Sequence, residues 1–243
     1  MTPSAQQSAR DTILARIREA LREPAPLPHM RSHATEEVAA AGPGRLTILP
    51  AEVARPWLPD GGETLPERLA ILAENLGRLR AEVHRAATPA AAAELVARIA
   101  GDRGWKRVAW HRHPAVEPVA AGLACETWQV DGAGFDKDAL EACDAGITAC
   151  EAAVAQTGSI LVSSGSCGGR AVSILPHVHV VIVTVEQVVA TLGEALELVR
   201  TRHAGRLPSM LSFITGPSRT GDIERILVLG AHGPKELLVV LVG

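Results

Sequence analysis

Two short segments near the carboxyl end, GPSRT at 216–220 and GAHGPKE at 230–236, concentrate the residue types from which an anion site is made. Gly216 permits close backbone approach, Pro217 can open a helical turn, and Ser218 and Thr220 bring hydroxyls to the unpaired N–H groups of such a turn. Arg219 adds a planar cation that can hold a carboxylate or phosphate in bidentate fashion, and the second loop supplies His232, Gly233 and Lys235. Asp222 and Glu224 follow, where they can cap a helix start; the functional alternative is a carboxylate facing substrate. From spacing alone, a rigid Gly-Pro turn with solvated charges competes with the anion site.

A second constellation lies in QTGSILVSSGSCGGRAVSILPHVH, residues 156–179, where Gly165, Gly168 and Gly169 precede Arg170. Clustered glycines let backbone amides converge on an anion, and Arg170 can complete the site; a flexible hairpin-like loop is the plainer alternative. Neither GxxxxGK[ST] nor GxGxxG is present, so a nucleotide site is not supported. Cys167 sits beside Arg170, but no general base is legible next to it, which argues against a thiolate nucleophile. His177 and His179 are two apart on a predicted strand, as are His111 and His113 if their strand reaches that far. A metal reading lacks a third ligand at the right spacing, so hydrogen bonding to backbone or to a bound anion is preferred for these histidines.

The elements that must position these residues alternate. Apolar residues at helical spacing predict a first helix through Ile13, Leu14, Ile17 and Leu21, with Ser8 or Asp11 as cap, ending before Pro24. From Pro24 to Pro66 the chain is rich in Pro, Gly and Ala and reads as an irregular arm. Further helices are predicted over 67–79, 89–100, 137–143 and 191–202, and strands over 81–86, 106–110, 127–130, 146–149, 159–163, 178–185, 210–214 and 236–242, with AAVAQTG as an apolar turn. The runs VVIV and LLVVLV do not alternate, so both faces of those strands must be covered. The prediction is an α/β fold with a mostly parallel central sheet and helices on both faces, divided into an arm at 1–63 and a domain at 64–243.

Composition excludes several classes. With 243 residues, 47% hydrophobic and 21% charged, the chain can bury one sizeable core. Aromatics make up only 2%, so Val, Leu, Ile and Ala must build that core, and the stacking platforms of single-stranded nucleic-acid binders are missing. A net charge of −3 offers no footprint for nucleic acid or anionic membrane. Cys125, Cys143, Cys150 and Cys167 form no CxxC pair, which speaks against a zinc or iron–sulfur site within the chain. No signal peptide or membrane span is expected, and a cytoplasmic location follows.

The carboxyl-terminal half resembles the lactate-utilisation protein C family, also called LutC or YkgG, of the LUD domain superfamily. The resemblance rests on TGS at 157–159, GRAVSILPHVHVVIV at 169–183, ITGPSRTGDIE at 214–224 and LVLGAHGPKELLVVLV at 227–242. It weakens over 65–128 and does not extend to the first 60 residues. It implies a fold similar to the NagB/RpiA/CoA-transferase group. It also implies a role in L-lactate oxidation to pyruvate beside LutA-like and LutB-like partners, which would carry the iron–sulfur clusters while this chain holds no cofactor. Arg170, His179, Arg219, Thr220, Asp222, His232 and Lys235 fall on motif positions. Their chemistry assigns Arg219 and Lys235 to carboxylate or phosphate binding, His179 or His232 to proton transfer or hydrogen bonding, and the Gly216 and Gly233 loops to shaping the pocket.

One departure is Gln156, where relatives commonly carry an acid before the TG pair; this disfavours a covalent acyl-transfer route, and Glu151 is at the wrong spacing to substitute. Three functions follow as expectations: a cluster-free subunit binding a small anionic ligand, a stand-alone enzyme on a small acid, acyl-CoA or folate-like ligand, and a scaffold that docks through the arm.

Overall fold

The computed structural model describes residues 5–20, 22, 59–131, 136–204, 206–220, 228–230 and 232–243. The chain divides into an amino-terminal unit, Met1–Ala54, and a larger unit, Arg55–Gly243. In the first, helix α1 (Ala5–Ala20) begins upstream of Ser8 and Asp11, so neither caps its start. The expected arm falls almost entirely outside the described residues.

The larger unit opens with α2 (Leu65–Arg78), started by a capping box in which Thr64 and Glu67 satisfy each other's backbone N–H, with Pro66 in the first turn. Strand β1 (Glu82–Ala86) follows. Thr88 then caps α3 (Pro89–Asp102) by accepting from the Ala91 N–H. Next come β2 (Arg107–Trp110), α4 (Glu117–Ala121), β3 (Glu126–Gln129), α5 (Lys137–Glu141) and β4 (Ala145–Thr148). Strands β5 (Ala152–Val154) and β6 (Ser159–Ser163) precede the long β7 (Val178–Thr184). The chain closes with β8 (Val188–Val189), α6 (Leu192–Arg202), β9 (Leu211–Ile214), β10 (Arg219–Thr220), β11 (Val228–Leu229) and β12 (Glu236–Val242).

Six strands form a wholly parallel sheet in the order β1-β12-β7-β4-β2-β3. Its longest pairing is β7 with β12, Val178 opposite Glu236 through Thr184 opposite Val242. The unbroken apolar runs of these strands are buried on both faces, as a parallel sheet requires. On one face Val180, Ile182, Leu238 and Val240 pack against Val96 and Ile99 of α3. On the other, Val181, Val183, Val239 and Leu241 meet Leu72 and Leu76 of α2 together with Ile160 and Val162 of β6. Leu72 and Leu76 are fully buried, and each stabilises the unit by about 2 kcal/mol.

The second face is covered by more than helices. A four-stranded sheet, β8-β5-β6-β9, lies there, its far side packed on Ala195 and Val199 of α6. Residues AAV, expected within a turn, form β5; only the following Ala155–Gly158 turns. A three-residue strand carries no legible period, and its pairing to β6 and β8 decides it. Gly146 of β4 lets the segment after β6 lie on the sheet, because an added Cβ would collide with the Val172 carbonyl.

Candidate functional site

A cleft of about 420 Å³ opens at the amino ends of β7 and β12. Its walls come from the segment before β7, from β9 and the turn after it, and from the loop that leads into β12. Arg170, His179, Gly216, Ser218, His232 and Gly233 all line it, so six of the residues singled out in the sequence converge from three separate stretches of chain. Met210, Leu211, Phe213, Ile214 and Leu237 make most of the remaining lining apolar.

His179 forms the polar floor. It faces Gly146 across the β4–β7 pair, and its Nε2 lies 2.8 Å from Thr148 Oγ1 on β4, while Nδ1 is buried without a hydrogen-bond partner. Burial pushes its pKa down to about 3, so the ring is neutral at physiological pH. A neutral imidazole with one free nitrogen can accept or donate a hydrogen bond according to tautomer. Arg170 donates to the Ser209 carbonyl at 3.2 Å and pairs with no carboxylate among the described residues, leaving its charge available to an anion.

The Gly-Pro segment departs from the sequence expectation. Pro217 does not open a helix: Gly216, at φ +86°, turns the chain into β10, which pairs antiparallel with β11. The N–H groups of a helix start are therefore not on offer there, since Ser218 N–H donates to the Pro234 carbonyl and Ser218 O accepts from Gly230 N–H. Both strands are two residues long, below the reach of any periodic signal. The Arg219 guanidinium donates to the Leu79 carbonyl at the end of α2 and does not line the cleft. Lys235 does not line it either; its aliphatic stem covers Gly230. The backbone of Thr220 belongs to β10, and Asp222 lies outside the described residues.

Other sequence candidates find clear places. The Cys167 thiol is buried and donates to the Ser163 and Gly169 carbonyls, and burial pushes its pKa up to about 11, which removes it as a thiolate nucleophile. Gln156 serves the framework, since its Nε2 donates to the Pro59 carbonyl at 2.7 Å and so ties the start of the unit to the β5–β6 turn. Among the described residues no group of three His, Cys, Asp or Glu side chains could hold a metal.

Sequence reasoning underrated Glu151. Just beyond β4, with its side chain 5% exposed, it accepts from Ser163 Oγ at 2.6 Å and from Arg202 at 2.6 Å, with His203 Nε2 at 3.3 Å. Burial raises its pKa, but the hydrogen bonds from Ser163 and Arg202 and the Arg202 charge outweigh this and leave it below the usual carboxylate value. A charge-bearing residue straight after a buried strand was the available signal; its partners, 12, 51 and 52 residues downstream, were not legible.

A wholly parallel sheet backed by a smaller mixed one, with a histidine-floored cleft at the amino ends of β7 and β12, defines the class: an α/β domain of the doubly covered parallel type. The chain belongs to the LUD domain family, whose sequence pattern matches residues 69–242. It is similar to curated proteins called lactate utilization protein C. The one from Shouchella clausii is 38% identical over 103 residues, 42% of this chain and 45% of that protein. The one from Bacillus subtilis is 34% identical over 117 residues, 47% and 49%. The Deinococcus radiodurans relative is 37% identical over 105 residues, 43% and 49%. The matches thus span about half the length of these curated relatives. A crystal structure of a DUF162 family protein from Deinococcus radiodurans superposes with a TM-score of 0.58 at 26% identity, covering 75% of this chain and all of that one. No described helix is long and apolar enough to cross a membrane.

Proposed function

We propose that this chain is the cluster-free component of an iron–sulfur system that oxidises L-lactate to pyruvate in the cytoplasm, and that its amino-end cleft binds a small organic anion. The observation that carries the reading is the family match over 69–242 together with relatives named for lactate utilisation. Lactate oxidation releases two electrons and two protons; in this reading LutA-like and LutB-like partners take the electrons on their clusters. The chain's own contribution is a charge from Arg170 and a neutral hydrogen-bonding nitrogen from His179 in a mostly apolar cleft. Such a cleft suits a carboxylate with an apolar body.

The test is genetic and biochemical together. Deleting the gene should abolish growth on L-lactate in a strain without a duplicate system, with restoration by the intact chain and not by His179→Leu. Anaerobic purification of the tagged protein should bring down cysteine-rich partners and iron in fixed proportion. Unimpaired growth of the deletion strain, or a protein that purifies alone and iron-free, would count against the reading. A second reading, a stand-alone enzyme on a longer acid or acyl thioester, draws on one observation: the apolar wall from Met210 to Ile214 exceeds what a three-carbon acid can cover. Turnover by the isolated protein on a panel of acyl-CoA and folate-like ligands, lost in Arg170→Ala, would favour it.

A further inference from the structure

A second cleft, of about 350 Å³, lies at the opposite end of the parallel sheet. Its place follows from topology. After β2 the chain runs outward to the edge strand β3, whereas after β4 it runs the other way, to β7 and then β12. Neighbouring strands whose connections leave in opposite directions open a crevice outside their carboxyl ends, and in α/β sheets that crevice is where ligands bind. Here it is lined by His111, which follows β2, by Gln129 and Asp131 at the end of β3, and by the loop after β6.

The loop is held by the buried charge at Glu151. Glu151 accepts the Ser163 hydroxyl, and Ser163 Oγ in turn accepts the N–H groups of Gly165 and Ser166. Gly168, at φ +62°, lies against His111 so closely that an added Cβ would collide with the His111 Cβ. His111 is 1% exposed, and its Nε2 has no hydrogen-bond partner. A buried polar atom left unpaired is unfavourable unless something occupies the site, and this one belongs to a cleft wall.

The chemistry of the walls defines the occupant. Arg112 is exposed at the rim and supplies a cation; Asp131 accepts the Arg112 backbone N–H and retains acceptor capacity; Gln129, Ser164 and His111 add groups that suit hydroxyls. We propose that this carboxyl-end cleft is a binding site for a small hydroxylated anion, with Arg112 taking the carboxylate or phosphate and His111 Nε2 bonding a hydroxyl. Burial lowers the His111 pKa against the opposing Asp131 charge, which keeps the ring neutral and its free nitrogen suited to that bond. This site is separate from the amino-end cleft and does not depend on the lactate reading.

The experiment uses the full chain, labelled with ¹⁵N-histidine and followed by NMR while D-glycerate, glycerol 3-phosphate, glycerol and acetate are titrated in turn. The expected result is a saturable shift of the His111 ring with one of the two hydroxylated anions, and binding at least tenfold weaker with glycerol or acetate. The stronger of glycerate and glycerol 3-phosphate identifies the anionic group. Arg112→Met, at an exposed position, should weaken binding about tenfold with an unchanged melting temperature, while His179→Leu should leave it within twofold. Absence of a saturable His111 shift with both hydroxylated anions, or equal affinity for glycerol and acetate, overturns the assignment.

Discussion

His179 and His111 stand at opposite ends of the same parallel sheet, each about 1% exposed and each with one ring nitrogen unpaired. Their surroundings differ. His179 is paired to Thr148 and faces an apolar cleft, so burial acts on it unopposed and its pKa falls to about 3. His111 is as little exposed but less deeply buried, the Asp131 charge and backbone hydrogen bonds work against that burial, and its cleft is polar, with Arg112 and Ser164 in the wall. Two identical side chains therefore present different sites: a neutral floor under an apolar wall, and a neutral hydrogen-bonding partner beside fixed charges.

Substitutions that touch one end, both or neither probe this contrast. The largest effect is expected from Gly146→Val, because the new side chain would drive into the Val172 carbonyl and displace the segment that carries Arg170 as well as the approach to His179. We expect a loss of roughly 3 kcal/mol or more, read as a melting temperature lower by about 6–12 °C. Glu151→Gln should cost less, about 2 kcal/mol in urea unfolding, since Arg202 is 43% exposed and can turn to water. Its damage should fall on the loop beside His111 and leave the His179 ring signal in place.

The pH response comes next and its sign is fixed. His179 titrates at the ordinary histidine value of 6.5 when unfolded and at about 3 when folded, so between those values the unfolded chain binds a proton that the folded one does not. Stability must fall as pH drops through that window, by up to about 1.4 kcal/mol per pH unit for one such group, and His179→Leu should flatten the slope. His111 and His113, also lowered by burial, act in the same direction and should preserve part of the slope in that variant. Denaturation midpoints at pH 7, 6 and 5 measure it; an identical slope in variant and parent would erase the distinction between the two histidines. The smallest effect belongs to Gly77→Ala in α2, where an added Cβ meets nothing within 4 Å. A gain of about 0.5 kcal/mol is expected, with both clefts unaffected.

Much of the architecture was legible before any tertiary information. The unbroken apolar runs of β7 and β12 predict strands covered on both faces, because only a parallel sheet between two layers removes all of those side chains from water. The starts of α2, α3 and α6 are local statements, each a threonine whose oxygen accepts an N–H three residues on. Arg170, His179, Ser218 and His232 stood out by residue type and motif, and they line one cleft. What depended on pairing was not legible: β5, β8, β10 and β11, at two or three residues each, exist because a neighbour accepts their hydrogen bonds.

Contiguous residues and composition were enough for the class of fold, the carboxyl-terminal motifs and the lack of a clustered-cysteine pattern, since none of these needs a distant partner. Three other features exist only once the chain has folded: Arg219 turns to the Leu79 carbonyl, Glu151 is locked by residues from β6 and α6, and the loop at 164–169 closes over His111. One cause underlies all three. Strand order brings together residues far apart in the chain, and burial then sets their charge state and partners.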